Sequence, residues 1–397
     1  MKILFMADVA PNRNSGAAGT EYQTIKALRR LGHEVDAVWS DELPHKIQHG
    51  NLHYLLELPR AYEKQMLERL QRKSFDVIHV NQPHGYRAAR TLGRLERKCV
   101  FIHRSHGMEM RIERDLAQWH RKYDQDSRSH LRKLAGRSMF IALTHSSRSI
   151  ARHADGHIVS ASECKEFLRE NLRVPDDRIA VIPQAPPSSF LERAPAVMTA
   201  ERLCRILYVG QYAFFKAPII VAEVLNRLSE AAQQLQFTWV CARQHHTKVR
   251  ELLSPAARQR INLLDWMPQD ELIRVYDGHG IFLFPSFSEG FGKVFLEAMS
   301  RGLCVVAADN GGAHDVIVHG VGGMLSPTGC VGTMVKECLQ LAEPSELAYS
   351  ISEAAAKCAR SYTWERVAKE TVSFYNDRLN AKSQGLARQS RDLDSPP

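Results

Sequence analysis

Two glutamates eight residues apart, Glu289 and Glu297 in SEGFGKVFLEAMSRG (288–302), are the carboxylates of this chain best placed for chemistry. Such a pair can work as an acid and a base, or can hold the hydroxyl groups of a ligand. Gly290 and Gly292 lie between them with Phe291 and Lys293, and remove side chains where the N–H groups of a helix start would face an anion. A plainer role exists. Glu289 could cap the helix for about 0.3–1 kcal/mol and Glu297 could be an ordinary surface residue, but glycines, carboxylates and a helix start converge here.

The elements that position this pair are legible around it. Ile281–Phe284 is apolar without alternation, as a strand covered on both faces should be, and Pro285 ends it. From Gly292 onward, Val294, Leu296, Ala298 and Met299 fit a helix with an apolar face, with Glu297 in its second turn. Both carboxylates then flank the mouth above a strand's carboxyl end, where open parallel sheets bind ligands.

Two series of strand-then-helix units organise the rest. Strands are expected at 2–6, 34–38, 76–80, 99–103, 156–159 and 179–182, then at 205–209, 236–240, 261–264, 281–284 and 304–307. Intervening helices imply parallel pairing. The stretch 183–189, with three prolines, reads as a linker. The expected fold is therefore α/β, with two Rossmann-like doubly wound domains facing a central cleft. Their bounds are 1–188 and 189–360, followed by a C-terminal helix over 361–379 that crosses back to the first domain and a disordered polar tail over 380–397.

Further candidate sites follow the strands. Gly16 and Gly19 form a glycine loop before the first long helix, Gly210 and Gln211 end the first strand of the second series, and Lys216 lies near the next helix start, placed for a phosphate. The first loop lacks the G-x-G-x-x-G spacing, so a dinucleotide site with Asp41 as its acidic residue is the weaker reading. His106 and Glu109 follow a strand's carboxyl end beside Gly107, where an imidazole could bind a hydroxyl or take a proton. His245 and His246 have no third ligand nearby, and Asp124-Gln125-Asp126 lies in a charged, helix-like stretch, so neither reads as a metal site.

Composition sets the outer bounds. With 397 residues, 44% hydrophobic and 24% charged, the chain has the make-up of an ordinary globular protein with room for two cores. Its eight cysteines form no C-x-x-C pair and read as small buried residues of a reduced compartment. No run suits a signal sequence or a membrane span, so a cytosolic protein is expected. Residues 86–152 carry 16 Arg and Lys against 6 Asp and Glu, more than the whole net charge of +9. Solvated helix faces are one explanation, and peripheral attachment to the anionic inner leaflet of a membrane is the other. Nucleic acid is not expected, because the segment lacks interleaved aromatics.

SEGFGKVFLEAMSRG with Phe284-Pro285-Ser286 upstream resembles the E-x7-E motif of family-four retaining glycosyltransferases of GT-B fold. The likeness extends in order through Asp76–Val80, Asp155–Ser162, YVGQYAFFK, LLDWMPQDEL and GGAHDVIVHGVGGMLSP. The resemblance implies sugar transfer from a nucleotide-diphosphate sugar, a UDP-sugar or a GDP-sugar, to the hydroxyl of a carbohydrate or lipid-linked acceptor. Configuration is retained, with no cofactor and no dedicated metal.

It further implies that Glu297 holds the ribose hydroxyls and Glu289 those of the donor sugar. Lys216 and the amides near Gly290, Phe291, Gly292 and Lys293 would meet the diphosphate, and Trp266 and Met267 the base. Gly16 and Gly19 would lie beneath the diphosphate and His106 would face the transferred sugar. Departures occur. Gly210-Gln211 replaces a glycine-arginine pair and leaves a phosphate-binding cation to Arg243 or Lys293; Lys216-Ala217 replaces lysine-glycine; Pro183-Gln184-Ala185 replaces proline-asparagine-glycine and predicts a stiffer hinge. A nucleotide-sugar epimerase and a non-catalytic sugar-nucleotide binding protein share this architecture.

Overall fold

The computed structural model describes residues 1–11, 16–48, 52–95, 98–123 and 130–393, with backbone alone for 16–17, 130–138 and 386–393. The Asp124-Gln125-Asp126 string and part of the basic segment lie outside these residues. The chain divides into two compact units: Met1–Arg114, His120–Pro183 and Trp364–Pro397 form the first, and Asp115–Trp119 with Gln184–Thr363 the second.

The first unit is built on six parallel strands, β1 (Lys2–Met6), β2 (Glu34–Val38), β3 (Val77–Asn81), β4 (Val100–Arg104), β5 (Gly156–Val159) and β6 (Ile179–Val181). Their order is β2-β1-β3-β4-β5-β6. All five residues of β3 and of β4 are buried, which explains their lack of polar alternation. Leu4, Met6, Ile78, Val80 and Phe101 pack with Leu58, Tyr62 and Met66 of the helix Leu58–Arg72 into one core.

The second unit repeats the plan with β7 (Arg205–Val209), β8 (Gln236–Val240), β9 (Ile261–Leu264), β10 (Ile281–Phe284), β11 (Cys304–Ala308) and β12 (Met324–Ser326). The order β12-β11-β10-β7-β8-β9 puts the reversal of winding between β7 and β10. Chain connections leave in opposite directions from those two strands, and the crevice at their carboxyl ends is the natural ligand site of such a sheet. β12 has three residues and pairs only with β11, too short to show in the sequence pattern.

Three boundaries differ from the sequence reading. Ser188–Leu191 is one helical turn and not linker, because Phe190 is fully buried in the core of the second unit, and the unit boundary accordingly falls at 183/184. The last helix starts at Trp364, since Tyr362 still packs on that same core. That helix also continues to Leu393, so the tail expected to be disordered from 380 is helical over most of its length. Contacts within the first unit hold it: Tyr375 Oη lies 2.5 Å from His79 Nδ1, Arg378 pairs with Asp177 at 3.0 Å and Lys382 with Asp155 at 3.0 Å.

Candidate functional site

Four loops rise from the carboxyl ends of β7, β8, β9 and β10. After β7, the Gly210 amide donates to the Val240 carbonyl at 3.1 Å, and a Cβ there would sit 2.6 Å from the Tyr208 hydroxyl, so only glycine fits without a shift. Phe214–Lys216 then forms a single 3-10 turn, and Ala217, at φ +53°, turns the chain into the helix Pro218–Ala231. A left-handed alanine is strained by about 1–2 kcal/mol. The turn from Lys216 into that helix is thus made by an alanine in the left-handed region.

After β10, the Phe287 amide donates to the Phe215 carbonyl at 2.9 Å and ties the two loops together. Lys216 Nζ thereby reaches Glu289 Oε1 at 2.5 Å, with both side chains largely buried. The ammonium also lies 5.3 Å from the Phe215 ring and 5.7 Å from the Phe284 ring. A lysine so enclosed offers a fixed positive charge beside a carboxylate that can accept from hydroxyls.

Gly292 begins the helix Lys293–Ser300 at φ +88°, with the Phe284 ring only 2.4 Å from where a Cβ would be. The first turn of that helix therefore starts directly above β10, and the Phe295 amide closes it by donating to the Gly292 carbonyl at 3.1 Å. One turn on, Glu297 is buried and accepts from the Tyr276 hydroxyl at 3.2 Å. Burial pushes the Glu297 carboxyl above its usual range, against the opposing pull of Lys293 and the Tyr276 hydroxyl. The plainer role as a surface residue does not hold for Glu297.

A third segment, which the sequence reading gave no role in the site, closes under this loop. Asn310 Nδ2 donates to the Ser286 carbonyl at 2.8 Å and the Gly312 amide to the Phe291 carbonyl at 3.2 Å. A Cβ on Gly311 would lie 2.8 Å from the Glu289 carbonyl oxygen, and one on Gly312 2.3 Å from the Phe291 ring. The doubled glycine in GGAHD was the available signal.

The remaining positions of the second unit are more open. Gln211 is exposed, and its carbonyl accepts from the Ala213 amide at 2.9 Å. Arg243, after β8, is 83% exposed and its Nε lies 3.5 Å from Asp265. Hydrogen bonds from the Trp266 and Arg243 amides hold the Asp265 carboxyl below its usual range. Trp266, after β9, is half exposed, while Met267 packs on the core. Of the two, Trp266 has the more open side chain. Lys293 stands at the first position of its helix, four residues before Glu297.

In the first unit Gly16 and Gly19 lie within the first turn of the helix Gly16–Arg30 and not in a loop ahead of it. His106, just past β4, pairs through Nε2 with the Glu21 carboxylate of that same helix, and Glu21 is fully buried. Burial alone would raise the Glu21 carboxyl, but His106 and then Arg104 outweigh it and hold it below its usual range. Burial raises Glu109 nearby. Glu21 was missed because a glutamate inside an amphipathic helix has no local mark of burial. Among the described residues no group of three His, Cys, Asp or Glu could hold a metal ion.

A parallel sheet that reverses at β7 and β10, with a lysine, two buried glutamates and a glycine-opened helix start at the reversal, has the chemistry to hold a phosphorylated, hydroxyl-bearing ligand. Residues 15–185 match the family described as Glycosyltransferase Family 4, and residues 204–344 that described as Glycosyl transferases group 1. The chain belongs to the family-four glycosyltransferases of GT-B fold.

A D-inositol 3-phosphate glycosyltransferase from Corynebacterium glutamicum is 33% identical over 121 residues, covering 30% of this chain and 29% of that protein. The match thus spans under a third of that relative's length. Among solved structures, a sucrose-phosphate synthase from Thermosynechococcus elongatus aligns with a TM-score of 0.73 at 17% identity over 96% of this chain and 99% of that one. Anabaena HepE, solved with UDP-glucose, aligns at 0.66 and 16% identity over 94% and 99%.

Proposed function

We propose that the chain is a retaining, metal-independent hexosyltransferase that moves a sugar from a UDP-sugar or GDP-sugar to an acceptor hydroxyl in the synthesis of a cell-surface polysaccharide, lipopolysaccharide or glycolipid. The observation that carries this reading is the buried Lys216–Glu289 pair beside the Gly292 helix start. The leaving diphosphate develops negative charge, and Lys216 with the amides of Phe291–Lys293 stabilises it without reorganising. Glu289 would orient the donor sugar hydroxyls and Glu297 those of the ribose. The anomeric C–O bond to the phosphate breaks while the acceptor oxygen attacks the same face. The leaving phosphate oxygen takes the acceptor's proton, so neither glutamate acts as a nucleophile.

The test is turnover of nucleotide sugars with and without acceptor. Lys216→Ala should lower diphosphate affinity by about 1.5–3 kcal/mol, the scale of a charge-assisted hydrogen bond. Diphosphate affinity equal to the parent's would remove Lys216 from the cradle. Glu297→Ala should abolish transfer with little loss of thermal stability, and full activity in it would end the reading.

The basic segment is assigned to peripheral attachment at the inner face of the membrane. Arg90, Arg94, Arg148 and Arg152 are exposed, and so are Phe140 and Ile141 on the helix His130–His153. Co-sedimentation with anionic vesicles should weaken as salt rises. Absence of binding at low salt would leave these residues as a solvated face. No described helix is long and apolar enough to cross a membrane.

A further inference from the structure

Asp8, two residues beyond β1, and Ser40, two beyond β2, open onto a cavity of about 290 Å³ whose other walls include Leu43, His45, His53 and Tyr54. It sits at the carboxyl edge of the first sheet, beside the reversal between β1 and β3. No lysine or arginine is among its described lining residues. Glu57, which holds His53, is already satisfied: it accepts from His53 Nδ1 at 2.8 Å and from the amides of Lys46 and Ile47 at 3.0 and 3.1 Å. Asp8 is the carboxylate among the described lining residues. Burial raises its carboxyl, while its own amide, His53 and His106 favour the ionised form.

The walls also carry a flat apolar surface. The Tyr54 ring is 41% exposed and stacked on His84, with centroids 5.2 Å apart, and His45 packs against His53 at 4.3 Å. A ring bearing hydroxyls suits these walls, because its hydroxyls can donate to the Asp8 carboxylate and the imidazoles while its C–H face lies on Tyr54. A phosphate would instead bring negative charge toward Asp8, with no lysine or arginine among the described lining residues to offset it.

We infer that this cavity receives the acceptor as a neutral, hydroxyl-rich ring, an unphosphorylated sugar or cyclitol unit, and rejects phosphorylated ones. This rests on the transferase reading above. It separates the chain from curated relatives named for D-inositol 3-phosphate.

Saturation-transfer NMR on the full chain tests it, with methyl α-glucopyranoside, methyl α-mannopyranoside and myo-inositol set against glucose 6-phosphate and myo-inositol 1-phosphate. At least one neutral probe should bind and the phosphorylated ones should not. Tyr54→Ala, a change at a half-exposed side chain, should weaken the neutral probe about tenfold, and Asp8→Asn should narrow the preference by about the same factor.

The assignment is overturned if phosphorylated probes bind as well as neutral ones, if no neutral probe binds, or if Tyr54→Ala behaves as the parent. Thermal stabilisation by UDP and GDP in the same samples separates the two claims. Nucleotide stabilisation without sugar binding sinks the cavity alone. Sugar binding without any nucleotide effect sinks the transferase reading and leaves the cavity standing.

Discussion

At the scale of single residues, Glu297 and Glu21 show two opposite uses of burial. Glu297 is raised by desolvation and accepts one hydrogen bond, from Tyr276, so its ionised form, the one that would accept from two ribose hydroxyls, grows as pH rises through its elevated value. Tyr276→Phe removes the bond that favours ionisation. Nucleotide affinity should fall by about 1 kcal/mol, more at pH 6 than at pH 8, and calorimetric titration at both values checks it.

Glu21 is depressed below 4.5 by its partners despite full burial. Its contribution to stability is therefore complete above that value and lost as pH falls through the lower folded one. Glu21→Gln should be less stable than the parent at neutral pH by about 1.5–3 kcal/mol and should flatten the stability curve below 4.5, read from urea unfolding across pH. Equal slopes would remove the ion pair from the account.

At the scale of elements, the loops after β7 and β10 and the Asn310–Gly312 segment act as one support, because each closes on the backbone of another. Gly292 and Gly312 are its tightest points. Gly292→Ala would force a methyl group against the Phe284 ring in a left-handed conformation, at a cost of about 2–4 kcal/mol. A melting curve measures it. Ala217 is the contrary case, since it already bears left-handed strain. Ala217→Gly relieves that strain but gives up a buried methyl and some chain entropy, so stability should stay within about 1 kcal/mol of the parent. These loops were legible as glycine-rich connections, and the helix start at Gly292 and the position of Glu297 follow from apolar spacing alone. The Phe287–Phe215 and Asn310–Ser286 bonds were not, because they join residues 72 and 24 positions apart.

At the scale of the whole molecule, the first unit holds an unusual load of buried histidine. Burial drives His79 and His103 down to about 3, so both stay neutral in the fold while the unfolded chain takes up protons below 6.5. Stability should fall as pH drops from 6.5 toward 3, by up to about 1.4 kcal/mol per unit for each group, which urea midpoints at pH 7, 6 and 5 would register. The sequence by itself determined two parallel α/β sheets and nearly every strand in them, because buried parallel strands are continuous apolar runs that need no partner to be recognised. It also determined which loops carry carboxylates, glycines and lysine. Tertiary structure alone decided that Lys216 pairs with Glu289, that Glu21 supports His106, that Asp8 and Tyr54 share a cavity, and that the last helix extends to Leu393. Each of those depends on contacts between distant positions, and a one-dimensional pattern records the burial of a segment but not the identity of what covers it.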